Sequence, residues 1–103
     1  MIRLIVTADD KLYNRLAHRA RTEGDTPERA TDVLAGLKQA TTLSVGMIVV
    51  DMSLHAADTL LETLHSRQET ATIPLLAVTD SENEQLPLEL RRLCAAVLEA
   101  DTL

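Results

Sequence analysis

The sequence is poor in aromatic residues and has one cysteine. Tyr13 is the one aromatic side chain among 103 residues, which contain no Phe or Trp. Stacking of bases or sugars on aromatic side chains is therefore disfavoured as a main activity. A single cysteine, Cys94, excludes an internal disulfide framework and a multi-cysteine metal site. Its apolar neighbours predict a buried thiol.

Basic runs and long apolar segments are also missing. The formal net charge is -6, and no run of Lys or Arg exceeds the pair Arg91-Arg92, which argues against nucleic-acid binding. No apolar segment approaches the roughly 20 residues needed to cross a bilayer, and no signal peptide precedes the first apolar run. We therefore expect a cytoplasmic protein with no nucleic-acid partner and no membrane partner.

Short apolar runs alternate with helical patterns along the chain. The runs that predict strands are 2–7, 45–50, 73–79 and, more weakly, 95–98, and the polar stretch 25–30 could hold a short edge strand. The residues expected to face inward from the helices are Leu12, Leu16, Ala20, Val33, Leu34, Leu37, Ala57, Leu60, Leu61, Leu64, Leu90 and Leu93. This alternation predicts one α/β domain over 1–103, a parallel sheet with helices on both faces.

Polar residues follow three of these predicted strands. The carboxyl ends of parallel strands lie at one edge of the sheet, so 7–10, 51–53 and 79–80 should gather there. Asp51 follows an apolar strand directly and is either a phosphate acceptor or a cap for the amides of the next loop. Thr79 is either functional or a locally bonded strand end, and Asp9 and Asp10 also suit helix capping.

Three segments together resemble a response-regulator receiver domain. They are Leu4-Ile5-Val6 running into an acidic turn, Ile48-Val49-Val50-Asp51, and Ile73-Pro74-Leu75-Leu76-Ala77-Val78-Thr79. The resemblance implies a flavodoxin-like fold, with Asp51 at the phosphoacceptor position and Thr79 at the switch position. It also implies that Asp9 and Asp10 form the acidic turn, and that Asp51 with Asp9 would hold any Mg²⁺.

The sequence departs from the receiver pattern at three places. The two acidic positions after the first strand fall on Thr7 and Ala8, and the lysine position of the last strand falls near Glu99. The chain also stops about where a last helix would begin. We therefore predict a degenerate, truncated pseudo-receiver that acts by protein–protein contact, without phosphorylation, enzymatic activity or a cofactor, Mg²⁺ being a weak alternative.

The absence of a last helix leads to an expectation about where a partner binds. Without it, Val97, Leu98 and neighbouring strand residues are expected to be partly bare, and exposed apolar patches of this kind usually mark interfaces. We expect a homodimer or a protein partner bound through this face.

Two alternatives remain open from the sequence. One is a working receiver of a two-component phosphorelay, in which Asp51 accepts phosphate and Asp9 helps to hold Mg²⁺. The other is a regulatory domain resembling an anti-sigma-factor antagonist, in which Ser53 or Thr59 is phosphorylated.

Overall fold

The structure is a computed structural model that describes residues 1–80 and 86–103. Within these residues, helices and strands alternate as the apolar pattern predicts. The strands are β1 (Ile2–Val6), β2 (Thr26–Ala30), β3 (Val45–Asp51), β4 (Leu75–Thr79) and β5 (Ala96–Glu99). The helices are α1 (Asp10–Thr22), α2 (Val33–Thr42), α3 (Ala57–Ser66) and α4 (Leu88–Arg91), and a 3₁₀ turn follows at Ala100–Thr102.

The strands form one parallel sheet in the order β2-β1-β3-β4-β5. This is the flavodoxin-like order, and it confirms the predicted fold class. The chain first builds outward from β1 to β2 and then returns to the other side of β1 with β3. The carboxyl ends of β1 and β3 therefore lie at the point where the strand order reverses, which is where such sheets form sites.

Helices cover both faces of the sheet. The larger apolar cluster lies under α2, α3 and α4, and its central residues include Leu4, Ile48 and Leu61. The smaller cluster lies under α1, around Ile5 and Val49. Neighbouring residues of one strand thus pack into different clusters, because side chains alternate between the faces of a sheet.

Local capping explains where α1 begins and ends. The Asp9 carboxylate accepts hydrogen bonds from the backbone N–H groups of Lys11 and Leu12, and so satisfies two free donors of the first turn. Gly24 follows the helix with φ of 87°, a left-handed conformation that glycine adopts without steric cost. The capping by Asp9 agrees with the sequence prediction.

The edge strand and α2 show where apolar pattern alone misleads. The weakly patterned stretch 25–30 does form a strand, β2, which pairs only with β1 and tolerates Pro27 because it lies at the edge. The predicted inward position of Leu34 is wrong, since its side chain is 79% exposed. The buried residues of the helix are Gly36 and Ala40, and Val33 and Leu37 pack against the larger cluster as predicted.

Gly36 allows α2 to lie close to the sheet. A Cβ atom placed at this position would lie 3.0 and 3.1 Å from the two methyl carbons of Val6. Val6 is fully buried and β-branched, so it has little freedom to move away. The close approach of α2 to β1 therefore depends on glycine here.

The last third of the chain follows its pattern less closely. Leu86 and Leu90 are buried and pack with α3, as expected for an inward-facing helix, although α4 itself is one turn long. Asp80 directly follows β4, and residues 81–85 lie outside the described part of the chain. None of the described helices has the length and apolar character needed to cross a membrane.

Candidate functional site

The site lies at the carboxyl ends of β1 and β3, where Thr7 and Asp51 meet. Thr7 directly follows β1 and Asp51 is the last residue of β3. The two strands pair in parallel with Val6 opposite Val50, so the next residue of each strand is brought alongside the other. Both side chains are buried, and the parallel register rather than any local motif positions them.

Both oxygens of the Asp51 carboxylate accept hydrogen bonds from neutral donors. The Thr7 hydroxyl donates to Asp51 Oδ2 at 2.7 Å, in a buried contact between residues 44 apart. The other oxygen, Oδ1, accepts from the Ser53 backbone N–H at 2.9 Å and from the Ser53 hydroxyl at 2.7 Å. Asp51 is 6% exposed, and these bonds replace the water it would otherwise bind. Asp51 therefore serves as a strand-end acceptor that orders the following loop.

The acidic turn after β1 does not deliver its carboxylates to Asp51. Asp9 directs Oδ1 to the first turn of α1, while its backbone N–H donates to the Thr7 hydroxyl at 3.1 Å. Asp10 is exposed and pairs with Arg29 at 2.8 Å, and that guanidinium lies 4.9 Å from the centre of the Tyr13 ring. Helix capping and a surface ion pair account for both acidic residues.

Thr79 lies beside the same site but forms a contact within the sheet. Its hydroxyl donates to the backbone carbonyl of Leu98 on β5 at 3.4 Å, and the residue is buried. The hydroxyl thus links the ends of β4 and β5, in the manner of a locally bonded strand end.

A polar cavity of about 200 Å³ opens above these strand ends. Its charged lining residues are Asp9, Asp51, Asp80, Asp101, Lys11 and Arg15. The sequence-based prediction missed the two cations, although their spacing of four residues places them on one side of α1. It also missed Asp101, which only the turn after β5 brings to this edge.

Asp9 and Asp51, the pair expected to hold any Mg²⁺, both make hydrogen bonds within the protein. Mg²⁺ takes carboxylates and waters in octahedral geometry. Among residues 1–80 and 86–103, no group of three or more His, Cys, Asp or Glu side chains is placed to hold a metal ion. Asp9 and Asp51 border one cavity, but each is engaged, the former by helix amides and the latter by Thr7 and Ser53.

Solved structures similar to this chain include response-regulator receivers. A CheY-like receiver domain from Methylobacillus flagellatus superposes with a TM-score of 0.84 at 19% identity, over 96% of this chain and 85% of that one. This chain has the receiver fold. A putative response regulator from Chloroflexus aurantiacus gives a TM-score of 0.80 at 21% identity, over 95% of this chain and 83% of that one.

A third similar structure was solved as a complex with Mg²⁺ and BeF. The response regulator TrrA from Thermotoga maritima, in complex with Mg²⁺ and BeF, superposes with a TM-score of 0.82 at 11% identity, over 95% of this chain and 84% of that one. No family model and no curated protein sequence matches the chain.

The structure separates the two residues expected to form an interface. Leu98 packs with the smaller cluster beside α1, whereas Val97 packs against the larger cluster on the opposite face. The expectation that both lie on one bare face is therefore wrong for Val97, because consecutive strand residues point to opposite faces. Leu98 is partly exposed beside α1, on the face that the prediction concerned.

The structure also shows the surroundings of three other residues that the sequence analysis singled out. The hydroxyl of Ser53 is committed to Asp51, and Thr59 is exposed on α3. Burial raises the pKa of the Cys94 thiol, whose Sγ donates to the Leu90 carbonyl at 3.5 Å. This thiol is half-buried and is held within the α4 region as a small packing residue.

Proposed function

We propose that this chain, as one domain over 1–103, is a receiver-like signalling module of the two-component type. It works by protein–protein contact, without phosphoryl transfer to Asp51 and without enzymatic activity of its own. The receiver fold supports the signalling class, and the Asp51 hydrogen bonds support the phosphorylation-independent mode.

The hydrogen bonds of Asp51 are the observation that carries the proposal. A carboxylate that attacks phosphorus needs an oxygen lone pair aimed at the donor, and its two oxygens offer about four such sites. Bonds from Thr7 and Ser53 already take three of them. Attack through Oδ2 competes with the bond from Thr7, and a hydrogen bond to a charged acceptor is worth about 1.5–3 kcal/mol. Weakening that bond adds to the barrier of the reaction.

The charges that a phosphoryl group needs are also poorly supplied. Phosphoryl transfer depends on positioning and on neutralising the transferred group. Thr7 offers a hydroxyl where the receiver pattern has a carboxylate for Mg²⁺, and Glu99 brings a negative charge to the end of β5. Lys11 and Arg15 line the cavity from α1, but both are exposed, where solvent screens their charge.

Phosphodonor titration tests the proposal. The chain is incubated with acetyl phosphate and Mg²⁺, and separately with fluoroberyllate and Mg²⁺, and is followed by amide NMR and intact mass. We expect no phosphoryl adduct. We also expect each reagent to change the amide shifts no more than it changes those of the control variant Asp51→Asn.

The alternatives predict different results in the same experiment. An acid-labile adduct on Asp51, with amide shifts that extend to Thr79, would establish the working receiver and refute the proposal. Acid-stable phosphate on Ser53 or Thr59 after exposure to a kinase would favour the domain resembling an anti-sigma-factor antagonist.

A further inference from the structure

An apolar groove lies beside α1, over the middle of β3, β4 and β5. It encloses about 210 Å³, and Leu16, Met47, Val49, Leu76 and Leu98 form its apolar wall. Leu16 and Val49 are buried beneath it, while Leu76 and Leu98 are partly exposed along it. The sheet face under α1 is thus only partly covered, whereas α2, α3 and α4 pack on the opposite face.

At the amino end of the groove, the positive charge of Arg3 is already paired with carboxylates of this chain. Arg3 enters the lining, but its guanidinium donates to Asp25 at 2.7 Å and to Glu23 at 3.2 Å. These hydrogen bonds lower the pKa of both carboxyl groups, which keeps the two partners ionised. Recognition by charge must therefore come from elsewhere on the rim.

A basic rim runs along α1 beside the groove. The helix carries Lys11, Arg15, Arg19 and Arg21, with Asp10 as its one acidic residue, in a chain of net charge -6. Arg15 and Arg19 are four residues apart and share one side of the helix. Arg15 Nη1 donates to the Ala100 carbonyl at 3.5 Å, so its side chain extends from α1 toward the end of β5.

The second rim arginine is held only weakly. Arg19 lines the groove and bonds Glu23 at 3.3 Å, in a pair whose two side chains are each about half exposed. Exposed pairs of this kind contribute little and exchange partners readily. An acidic side chain entering beside α1 could therefore engage Arg19 and Arg15 together.

We propose that this groove docks an amphipathic helix of a partner protein, whose apolar face covers Leu76 and Leu98 and whose acidic flank pairs with Arg15 and Arg19. The proposal deepens the proposed function, because it takes protein contact as the activity and assigns its surface. A second copy fits less well, since each copy carries a net charge of -6 and two such chains repel each other.

Two synthetic helices test the chemistry of the partner. Both have about 16 residues, and so span about 24 Å as helices. They share one leucine face, and their flanks carry either glutamate or lysine. Each is titrated into the ¹⁵N-labelled full chain. We expect the acidic helix to bind roughly tenfold more tightly than the basic one, with amide shifts centred on Leu76 and Leu98.

Charge reversal on the rim sharpens the test. Arg15→Glu with Arg19→Glu changes exposed positions that the fold tolerates, and it should invert the preference between the two helices. The matched control is Arg21→Glu with Arg67→Glu, which makes the same charge change at exposed positions away from the side of α1 that carries Arg15 and Arg19. The control should change the affinity for the acidic helix less than about threefold.

Three outcomes would overturn the assignment. The first is equal binding of both helices, and the second is a set of amide shifts that lie away from the groove. The third is concentration-dependent self-association that shifts the amides of Leu76 and Leu98, which would favour a second copy as the occupant. Phosphorylation of Asp51 would instead defeat the proposed function, and it is measured without the helices. The two failures are therefore distinguishable.

Discussion

Replacing Thr7 by valine tests whether its hydroxyl stabilises the Asp51 carboxylate. Valine has nearly the same shape, so the change removes the donor to Asp51 Oδ2 and the acceptor of the Asp9 N–H with little change in packing. A hydrogen bond to a charged acceptor contributes about 1.5–3 kcal/mol, and a second, partly exposed bond about 0.5–1 kcal/mol. We therefore expect Thr7→Val to lower the free energy of unfolding by about 2–4 kcal/mol.

Thr70 is a matched control within the same protein. It is as buried as Thr7, but its hydroxyl donates to the neutral backbone carbonyl of Leu64 at 2.6 Å. Thr70→Val should cost about 1 kcal/mol, because the acceptor carries no charge. Thr7→Ser, which keeps the hydroxyl and loses one buried methyl group, should also cost about 1 kcal/mol.

Urea unfolding followed by circular dichroism measures these differences. With a slope of about 1.5 kcal/mol per molar urea, the Thr7→Val midpoint should fall by roughly 1.5–2.5 M at an unchanged slope. A double-mutant cycle with Asp51→Asn should give a coupling of about 1–2 kcal/mol between the two positions. If Thr7→Val costs no more than Thr70→Val, or if the two changes are additive, the role assigned to this hydroxyl is refuted.

Three further predictions follow from the backbone and the ion pairs. Ala56→Gly should raise the free energy of unfolding by about 0.5–1 kcal/mol in urea, because Ala56 is left-handed at φ of 63° and L-residues there are strained. Gly36→Ala should lower it by about 1 kcal/mol, since overpacking against the sheet outweighs the gain in helix propensity. Arg3 lowers the pKa of Glu23 and Asp25. The contribution of these two ion pairs to the free energy of unfolding is therefore present above the ordinary pKa values of 4.5 and 3.8, and it is lost as the pH falls through the lowered pKa values. Arg3→Gln should therefore flatten the acid side of a plot of urea midpoint against pH.

Each of these three has its own control. Ala35→Gly, within a regular helix, should destabilise by about 1 kcal/mol, opposite in sign to Ala56→Gly. A Cβ atom at Gly46 would lie nearest to side-chain atoms of Met1, a terminal residue that is 81% exposed, so Gly46→Ala should be better tolerated than Gly36→Ala. An acid limb that stays as steep in Arg3→Gln as in the parent would show that other carboxylates set the pH dependence.

The receiver fold was predictable because three of its strands are continuous apolar runs in the sequence. Strands β1, β3 and β4 contain the stretches that only a sheet covered on both faces can bury, and the polar residues Asp51 and Thr79 mark where two of them end. The capping role of Asp9 is also local, since its carboxylate bonds amides two and three residues away. Interactions of such short range are decided by neighbouring residues, so the sequence determines them directly.

What the tertiary structure decided depends on contacts between distant segments. The sequence places Thr7 and Asp51 at strand ends, but only the parallel register of β1 and β3 brings the hydroxyl to 2.7 Å from the carboxylate, across 44 residues. The outward position of Leu34 likewise follows from how α2 packs on the sheet. The apolar pattern predicts that a residue tends to be buried. Packing between distant segments determines which side chains can be accommodated in the core and which polar groups lie within hydrogen-bonding distance.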